Sequence, residues 1–194
     1  MTTVLGFDTS GPWCAAALWS DDTVIEAVAE EMTRGQAEHL MGLLQEILAR
    51  HGLGWRDLDA LGVGVGPGNF TGIRIGVSAA RGLALGLDVP AYGITGFEQR
   101  EGLQAAPVYV PAPRDSVYVQ RADGPALVTR AALAADGVTL APDPAPAELA
   151  AAIATRAAKL YPQVAPAPAP CYLRPADAAP GRDVPPVILP ANAP

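Results

Sequence analysis

Short apolar runs alternate with amphipathic stretches along the first hundred residues, and the two kinds of segment have different periods. Thr3 to Phe7 is almost wholly apolar and stops at the polar turn Asp8-Thr9-Ser10, which predicts a short strand buried on both faces. After Gly11-Pro12, Cys14 to Trp19 reads as a second strand, and the polar pair Asp21-Asp22 turns the chain into a third over Thr23 to Val28. Three strands joined by tight turns predict an opening meander. The period then changes. Leu40, Leu43, Leu44, Ile47 and Leu48 fall at i, i+3, i+4, i+7 and i+8, one apolar stripe of a helix over Gln36 to His51. Thr33 with Gln36 predicts a capping box, and Gly52 a stop. Ala37 and Met41 lie beside the stripe, making the apolar surface wider than contact with one sheet requires.

Leu61 to Val65 is the next buried strand. It runs into Gly66-Pro67-Gly68-Asn69-Phe70-Thr71-Gly72 and a helix to about Leu85. Gly72, Gly76 and Ala80 make a smooth ridge on that helix, suited to close packing. Glycine in a helix costs about 1 kcal/mol relative to alanine, so a close approach is expected to offset it. Arg74, Ser78 and Arg81 form a polar, basic edge on another stripe. Val89 to Gly93 predicts a strand, and Thr95 with Glu98 a second capping box for a helix to about Leu103. The alternation of strand and helix predicts an α/β protein with parallel pairing and right-handed crossovers. Beyond residue 105 the signals weaken. Short strands are expected at Val108–Val110, Val117–Gln120 and Leu127–Thr129, and an alanine-rich helix at Ala147–Leu160. A proline–alanine linker follows over Pro162–Pro170, and a proline-rich tail over Ala176–Pro194 that is expected to be flexible.

Composition narrows the chemistry. With 194 residues a chain buries roughly 70% of its unfolded surface and needs no disulfide or metal to hold a core. A net charge of −7 and a pI near 4.7 repel phosphate overall, so unaided nucleic-acid binding is not expected. Cys14 and Cys171 stand alone, without a CxxC pattern, which speaks against a zinc site or disulfide framework. The segment MTTVLGFDTS carries no basic region followed by a long apolar run, and no stretch approaches ~18 apolar residues. A reduced, cytoplasmic protein without membrane spans is expected.

The strand–turn–helix at Gly64–Gly72 invites phosphate-loop readings, because backbone N–H groups and a helix N-terminus there would face an anion. A Walker A loop would end in Gly-Lys-Ser/Thr, whereas this one ends in Thr71-Gly72-Ile73; Lys159 is the sole lysine. A dinucleotide fingerprint would need glycine where Asn69 stands. What stays open is a tight structural turn or an anion site of another kind. Asp8-Thr9-Ser10 is either an Asx-turn or the acid–hydroxyl turn that faces phosphate and metal in actin-like nucleotide-binding folds. Asp8, Thr9, Ser10, Gly66, Gly68 and Asn69 are the candidate nucleotide- or anion-facing residues. His39 and His51 form no HxxxH or HExxH pattern, so His39 is assigned to a solvent or partner face rather than to a metal. No Ser-His-Asp arrangement or catalytic carboxylate pair stands out. No catalytic or metal-ligating residue is assigned.

Gly66-Pro67-Gly68-Asn69-Phe70-Thr71-Gly72-Ile73-Arg74-Ile75-Gly76, together with Phe7-Asp8-Thr9-Ser10, resembles the TsaB (YeaZ) family. Arg34-Gly35-Gln36-Ala37-Glu38, Arg114-Asp115-Ser116-Val117-Tyr118 and Tyr172-Leu173-Arg174 extend the likeness, which is strong from residue 3 to about 100 and patchy after that. Gln36 stands where that family commonly has histidine, and Gly42 where it commonly has proline. The resemblance implies an actin-like (ASKHA, ribonuclease H-like) fold: a first lobe over 1–105, a reduced second lobe over 106–175 and the tail over 176–194. It also implies a non-catalytic platform in the cytoplasmic transfer of threonylcarbamoyl to adenosine 37 of ANN-decoding tRNAs. Its partners would be a TsaD-type catalytic subunit, which carries the metal-binding histidines, and a TsaE-type ATPase, with a homodimer when alone. tRNA would be met only through the complex. No cofactor is assigned, although ATP or ADP at the complex interface stays open. The expected partner face comprises Ala37, His39, Met41 and Leu44 on the first helix and Gly72, Arg74, Gly76, Ser78 and Arg81 on the second. Rival readings are an actin-like nucleotide hydrolase with weak ATPase activity, a peptidase-like hydrolase, and a structural role at the cell envelope.

Overall fold

A computed structural model describes residues 2–173. The expected Arg174 and the tail over 176–194 lie outside the described residues. The chain opens with strands β1 (Thr3–Asp8), β2 (Trp13–Ser20) and β3 (Thr23–Glu31). Helix α1 (Gln36–Arg50) leads to β4 (Ala60–Gly64), and α2 (Phe70–Leu87) leads to β5 (Ala91–Ile94). These strands form one sheet in the order β3-β2-β1-β4-β5, antiparallel through the first three and parallel from β1 through β4 to β5. Both turn residues of the β2–β3 hairpin, Asp21 and Asp22, take positive φ (46° and 66°), as a two-residue hairpin turn demands.

Helix α1 buries the predicted stripe Leu40, Leu43, Leu44, Ile47 and Leu48. Its entry differs from expectation. Gly35, at φ 86°, occupies the cap position without a side-chain hydrogen bond, and the Gln36 amide donates to the Met32 carbonyl at 3.2 Å. A left-handed glycine turns the chain directly into the helix, so the Thr33–Gln36 box does not form. The second box does: Glu98 N–H donates to Thr95 Oγ1, and Thr95 N–H donates to Glu98 Oε2, around the short helix α3 (Gly96–Arg100).

A second sheet, β6 (Tyr109–Ala112), β7 (Ser116–Arg121) and β8 (Gly124–Thr129), is antiparallel throughout. Its strands coincide with the three weak strand signals. Tyr109, Val117 and Val119 pack on Leu133 of helix α4 (Arg130–Ala135), an element too short to show a period in the sequence.

Helix α5 (Pro146–Leu160) does not stay with this small sheet. It returns to the five-stranded sheet and covers the face opposite α1 and α2. Thus, of the described residues 106–173, β6–β8 and α4 build the small lobe, while α5 and the segment after it rejoin the first. The joint is made of small residues: Ala15 and Ala17 of β2 meet Ala150 and Ala154 of α5. A Cβ on Gly6 would lie 2.5 Å from the Ala154 backbone nitrogen, and one on Gly62 would lie 2.8 Å from the Ile153 side chain. Among the described residues, no helix is long and apolar enough to cross a membrane.

Two glycines therefore have opposite expectations. Gly6→Ala should lower the unfolding free energy by about 1–3 kcal/mol through overpacking against α5. Gly42→Ala, in an α1 position where a Cβ meets nothing within 4 Å, should raise it by about 1 kcal/mol. Urea unfolding at an unchanged m-value checks both; equal shifts of one sign would contradict the packing assigned to α5.

Candidate functional site

Strands β1, β4 and β5 end on one edge of the large sheet, and the turns after β1 and β4 open there, where α/β sheets place ligands. Opposite them stand Val110 and Tyr118, paired on one face of the small sheet, with Pro111 at its edge. Between the two lies a cleft of about 980 Å³.

Asp8 closes the end of β1 but does not face this cleft. It is fully buried. Its Oδ2 accepts from the Trp13 indole N–H at 2.9 Å and from the Ser10 hydroxyl at 3.0 Å. Its Oδ1 has no hydrogen-bond partner among the described residues and fills the space that a Cβ on Gly64 would need. The Trp13 ring folds back over Gly11, where a side chain would collide with it. Trp13, not Asp8, lines the cleft. Burial holds the Asp8 carboxyl above its ordinary value, against the weaker lowering by the Trp13 and Ser10 hydrogen bonds. Thr9 is equally withdrawn: its hydroxyl donates to the Gly72 carbonyl at 2.7 Å. Of the acid–hydroxyl turn, Ser10 alone lines the cleft.

Arg100 supplies a cation at the cleft, and it is already paired. It is 3% exposed, and it grips Asp143 through Nε at 2.7 Å and Nη2 at 3.0 Å, while Nη1 donates to the Gly96 carbonyl. Gln104 donates to the same Asp143 and accepts from the Tyr109 N–H. This bidentate pair links α3 of the first lobe to the segment before α5, and so fixes the two crossings between the lobes. The pair carries no sequence motif.

In the glycine loop, Gly68 and Asn69 line the cleft, whereas Gly66 is buried with φ 90° and packs on Ile73. The Asn69 side chain caps α2, accepting from the Gly72 N–H at 2.8 Å, and so spends its oxygen on the helix. Phe70 stacks on Tyr172 with ring centroids 4.8 Å apart. The Arg74 guanidinium sits 4.0 Å over Phe70, and its Nε donates to the Tyr172 hydroxyl. Tyr172 is carried by a strap, residues 168–173, whose Cys171 N–H donates to the Val65 carbonyl at 2.7 Å. Cys14 is a core residue, its thiol pushed up to about 11 by burial.

The residues expected at a partner face divide into two sets. Ala37, Met41, Arg74, Ser78 and Arg81 are exposed on α1 and α2. Leu44, Gly72 and Gly76 are not available there, because Leu44 is core and the glycine ridge faces Thr9 of the same chain. His39 lies half-buried with Nε2 2.8 Å from Glu30 of β3. The exposed face holds features that sequence reading missed. Leu85 of α2 is 87% exposed and Met41 of α1 is 40% exposed, and Gly42, Gly82 and Gly86 would each accept a Cβ without contact. Leu85 falls seven residues after Ser78, on the stripe already marked by Arg74 and Arg81, so the spacing did contain the signal.

Comparison with known proteins adds an independent line. A family profile described as "TsaD: tRNA N6-adenosine threonylcarbamoyltransferase" matches residues 26–112. The TsaB protein of Escherichia coli K12 is 41% identical over 92 residues, covering 47% of this chain and 39% of that protein. Rv3421c of Mycobacterium tuberculosis H37Rv is 35% identical over 167 residues, 83% of this chain and 76% of that one. The solved structure of YeaZ from Pseudomonas aeruginosa superposes with a TM-score of 0.53 at 27% identity, over 66% of this chain and 65% of that one. The chain belongs to the TsaB/YeaZ family. Its fold is accordingly of the actin-like, ribonuclease H-like class. The match to the E. coli TsaB protein spans about two fifths of that protein's length.

The raised Asp8 carboxyl fixes the sign of a pH effect in this TsaB/YeaZ chain. The native state takes up the Asp8 proton before the unfolded chain does. The resulting stability is full below the ordinary value of 3.8 and is lost as pH rises through the higher native value. Unfolding free energies should therefore improve for wild type relative to Asp8→Asn as pH falls from 7 toward 4. A difference between the two that does not change with pH would contradict the burial assigned to Asp8.

Proposed function

We propose that this chain is a partner subunit in threonylcarbamoylation of adenosine 37 in tRNA, contributing a docking surface rather than the reacting groups. The observation that carries the reading is the exposed face of α1 and α2. Met41, Ala37 and Gly42 are exposed on α1, and Leu85, Ser78, Gly82 and Gly86 are exposed on α2. Glycines on an exposed helix face lower helix stability without serving their own chain, and small residues there let a second helix pair approach closely. Relatives named as tRNA threonylcarbamoyladenosine biosynthesis proteins support the pathway, and the profile match over 26–112 supports kinship with the TsaD-type subunit. Two related folds pairing through equivalent helices form a heterodimer with that subunit, and a homodimer in its absence. A TsaE-type ATPase joins the pair, and tRNA is held by the assembly, since the chain itself is acidic.

The cleft supports the non-catalytic half of the proposal. The carboxylate at the end of β1 is sealed under Trp13, and the Arg100 cation is consumed by Asp143. Neither presents a charge to a phosphate or a metal in the arrangement a hydrolase requires.

Arg81 has no ion-pair partner among the described residues, and Leu85 is the most exposed apolar side chain of α2, so both are suited to read the partner. Leu85→Glu should weaken binding to the TsaD-type subunit on the order of 100-fold, and Arg81→Glu by less, while both variants keep the wild-type circular dichroism spectrum. Titration calorimetry measures both. Unchanged affinity for Leu85→Glu, with the chain folded, would move the interface off this face.

A further inference from the structure

The cleft between the lobes is not explained by the docking surface on α1 and α2. Its walls are aromatic and proline-rich. Trp13, Phe70 and Tyr172 line the first-lobe side, and Pro111 and Tyr118 the small-sheet side. The polar atoms at its floor are engaged within the chain, as Trp13 Nε1 is by Asp8 and Arg100 by Asp143. Such a groove suits an extended, weakly charged chain better than an anion. Aromatic-lined grooves take up polyproline II segments because these are already extended and lose little entropy on docking.

The described part of the chain ends in this groove. Cys171, Tyr172 and Leu173 all line the cleft, with the strap fixed to Val65 and Tyr172 stacked on Phe70. Residues 174–194 continue from there. They carry six prolines, two arginines balanced by two aspartates, and the uncharged run Val184-Pro185-Pro186-Val187-Ile188-Leu189-Pro190. At about 3.1 Å per residue an extended run of this length reaches about 65 Å, ample to turn back along the groove from Leu173. Tethering at the groove's own wall gives an effective concentration of order millimolar.

We propose that the interlobe cleft is a binding groove for an extended proline-rich segment, and that its occupant is this chain's own residues 174–194. The run Val184–Pro190 supplies the apolar side chains. A docked tail shields Cys171 and competes with any other ligand that enters between the lobes.

The test uses a chain cut after Leu173, first shown to fold by circular dichroism, and a fluorescent peptide of residues 174–194. The peptide should bind the cut chain saturably in the micromolar range and bind the full chain at least tenfold more weakly, because the tail competes. Phe70→Ala in the cut chain should lose at least tenfold in peptide affinity. A second arm keeps the full chain. The triple change Val187→Asp, Ile188→Asp and Leu189→Asp should raise the alkylation rate of Cys171 at least tenfold, with Cys14 silent because it is fully buried. This arm decides the matter if the cut chain fails to fold. No saturable binding, equal binding by cut and full chains, displacement of nothing by the peptide where ATP does bind the cut chain, or an unchanged Cys171 rate would each overturn the proposal.

Discussion

How close the backbone of α5 lies to the large sheet is the constraint on which the rest of this molecule depends. At Gly6 and Gly62 the sheet offers no side chain, and α5 answers with alanines, so helix and strands meet almost backbone to backbone. Because α5 follows the small lobe in sequence, this contact pulls the chain back and tethers that lobe at both ends. The Arg100–Asp143 pair then sets the angle of the tether. The cleft is the space left between the tethered lobe and the ends of β1 and β4. Arg100 is buried and Asp143 partly so, and removing Asp143 would leave a guanidinium unpaired beside the core, so the lobe junction is held from inside the cleft.

A similar economy governs Asp8. A carboxylate sealed in a protein interior is unfavourable, and two hydrogen bonds to one oxygen only partly offset that cost. The fold keeps the acid at the end of β1 but turns the Trp13 indole over it. What would be a charged floor becomes an aromatic one. Met41 of α1 and Leu85 of α2 are exposed instead, and a Cβ on Gly42, Gly82 or Gly86 would meet nothing within 4 Å.

Much of this was legible in the chain. The change from continuous apolar runs to the stripe Leu40–Leu48 located β1 to β4 and α1, because period is a local property. The ridge Gly72–Gly76 announced a close approach, correctly in kind. Its neighbour is Thr9 of the same chain, a partner more than sixty residues away that spacing cannot name. The alanine richness of α5 was visible as well, but the sheet against which it packs was not. Helix α4 was invisible because six residues with Leu133 as the single buried anchor show no period. The cap at Gly35 defeated the Thr33–Gln36 box, since a left-handed glycine needs no side-chain acceptor. The site was the least legible part. Asp8 is buried by Trp13 and by the missing side chain of Gly64, and Arg100 is neutralised by Asp143. These are pairings of distant positions that no motif records.

We propose that this chain enables tRNA threonylcarbamoylation through its helix face and without reacting groups of its own. Reconstitution from purified components, with nucleosides read by mass spectrometry, tests it directly. Threonylcarbamoyladenosine should form when this chain joins the TsaD-type subunit and the ATPase. Product should be retained with Asp8→Asn and lost with Leu85→Glu. Full modification in the absence of this chain, or product retained with Leu85→Glu and abolished with Asp8→Asn in a folded protein, would contradict it.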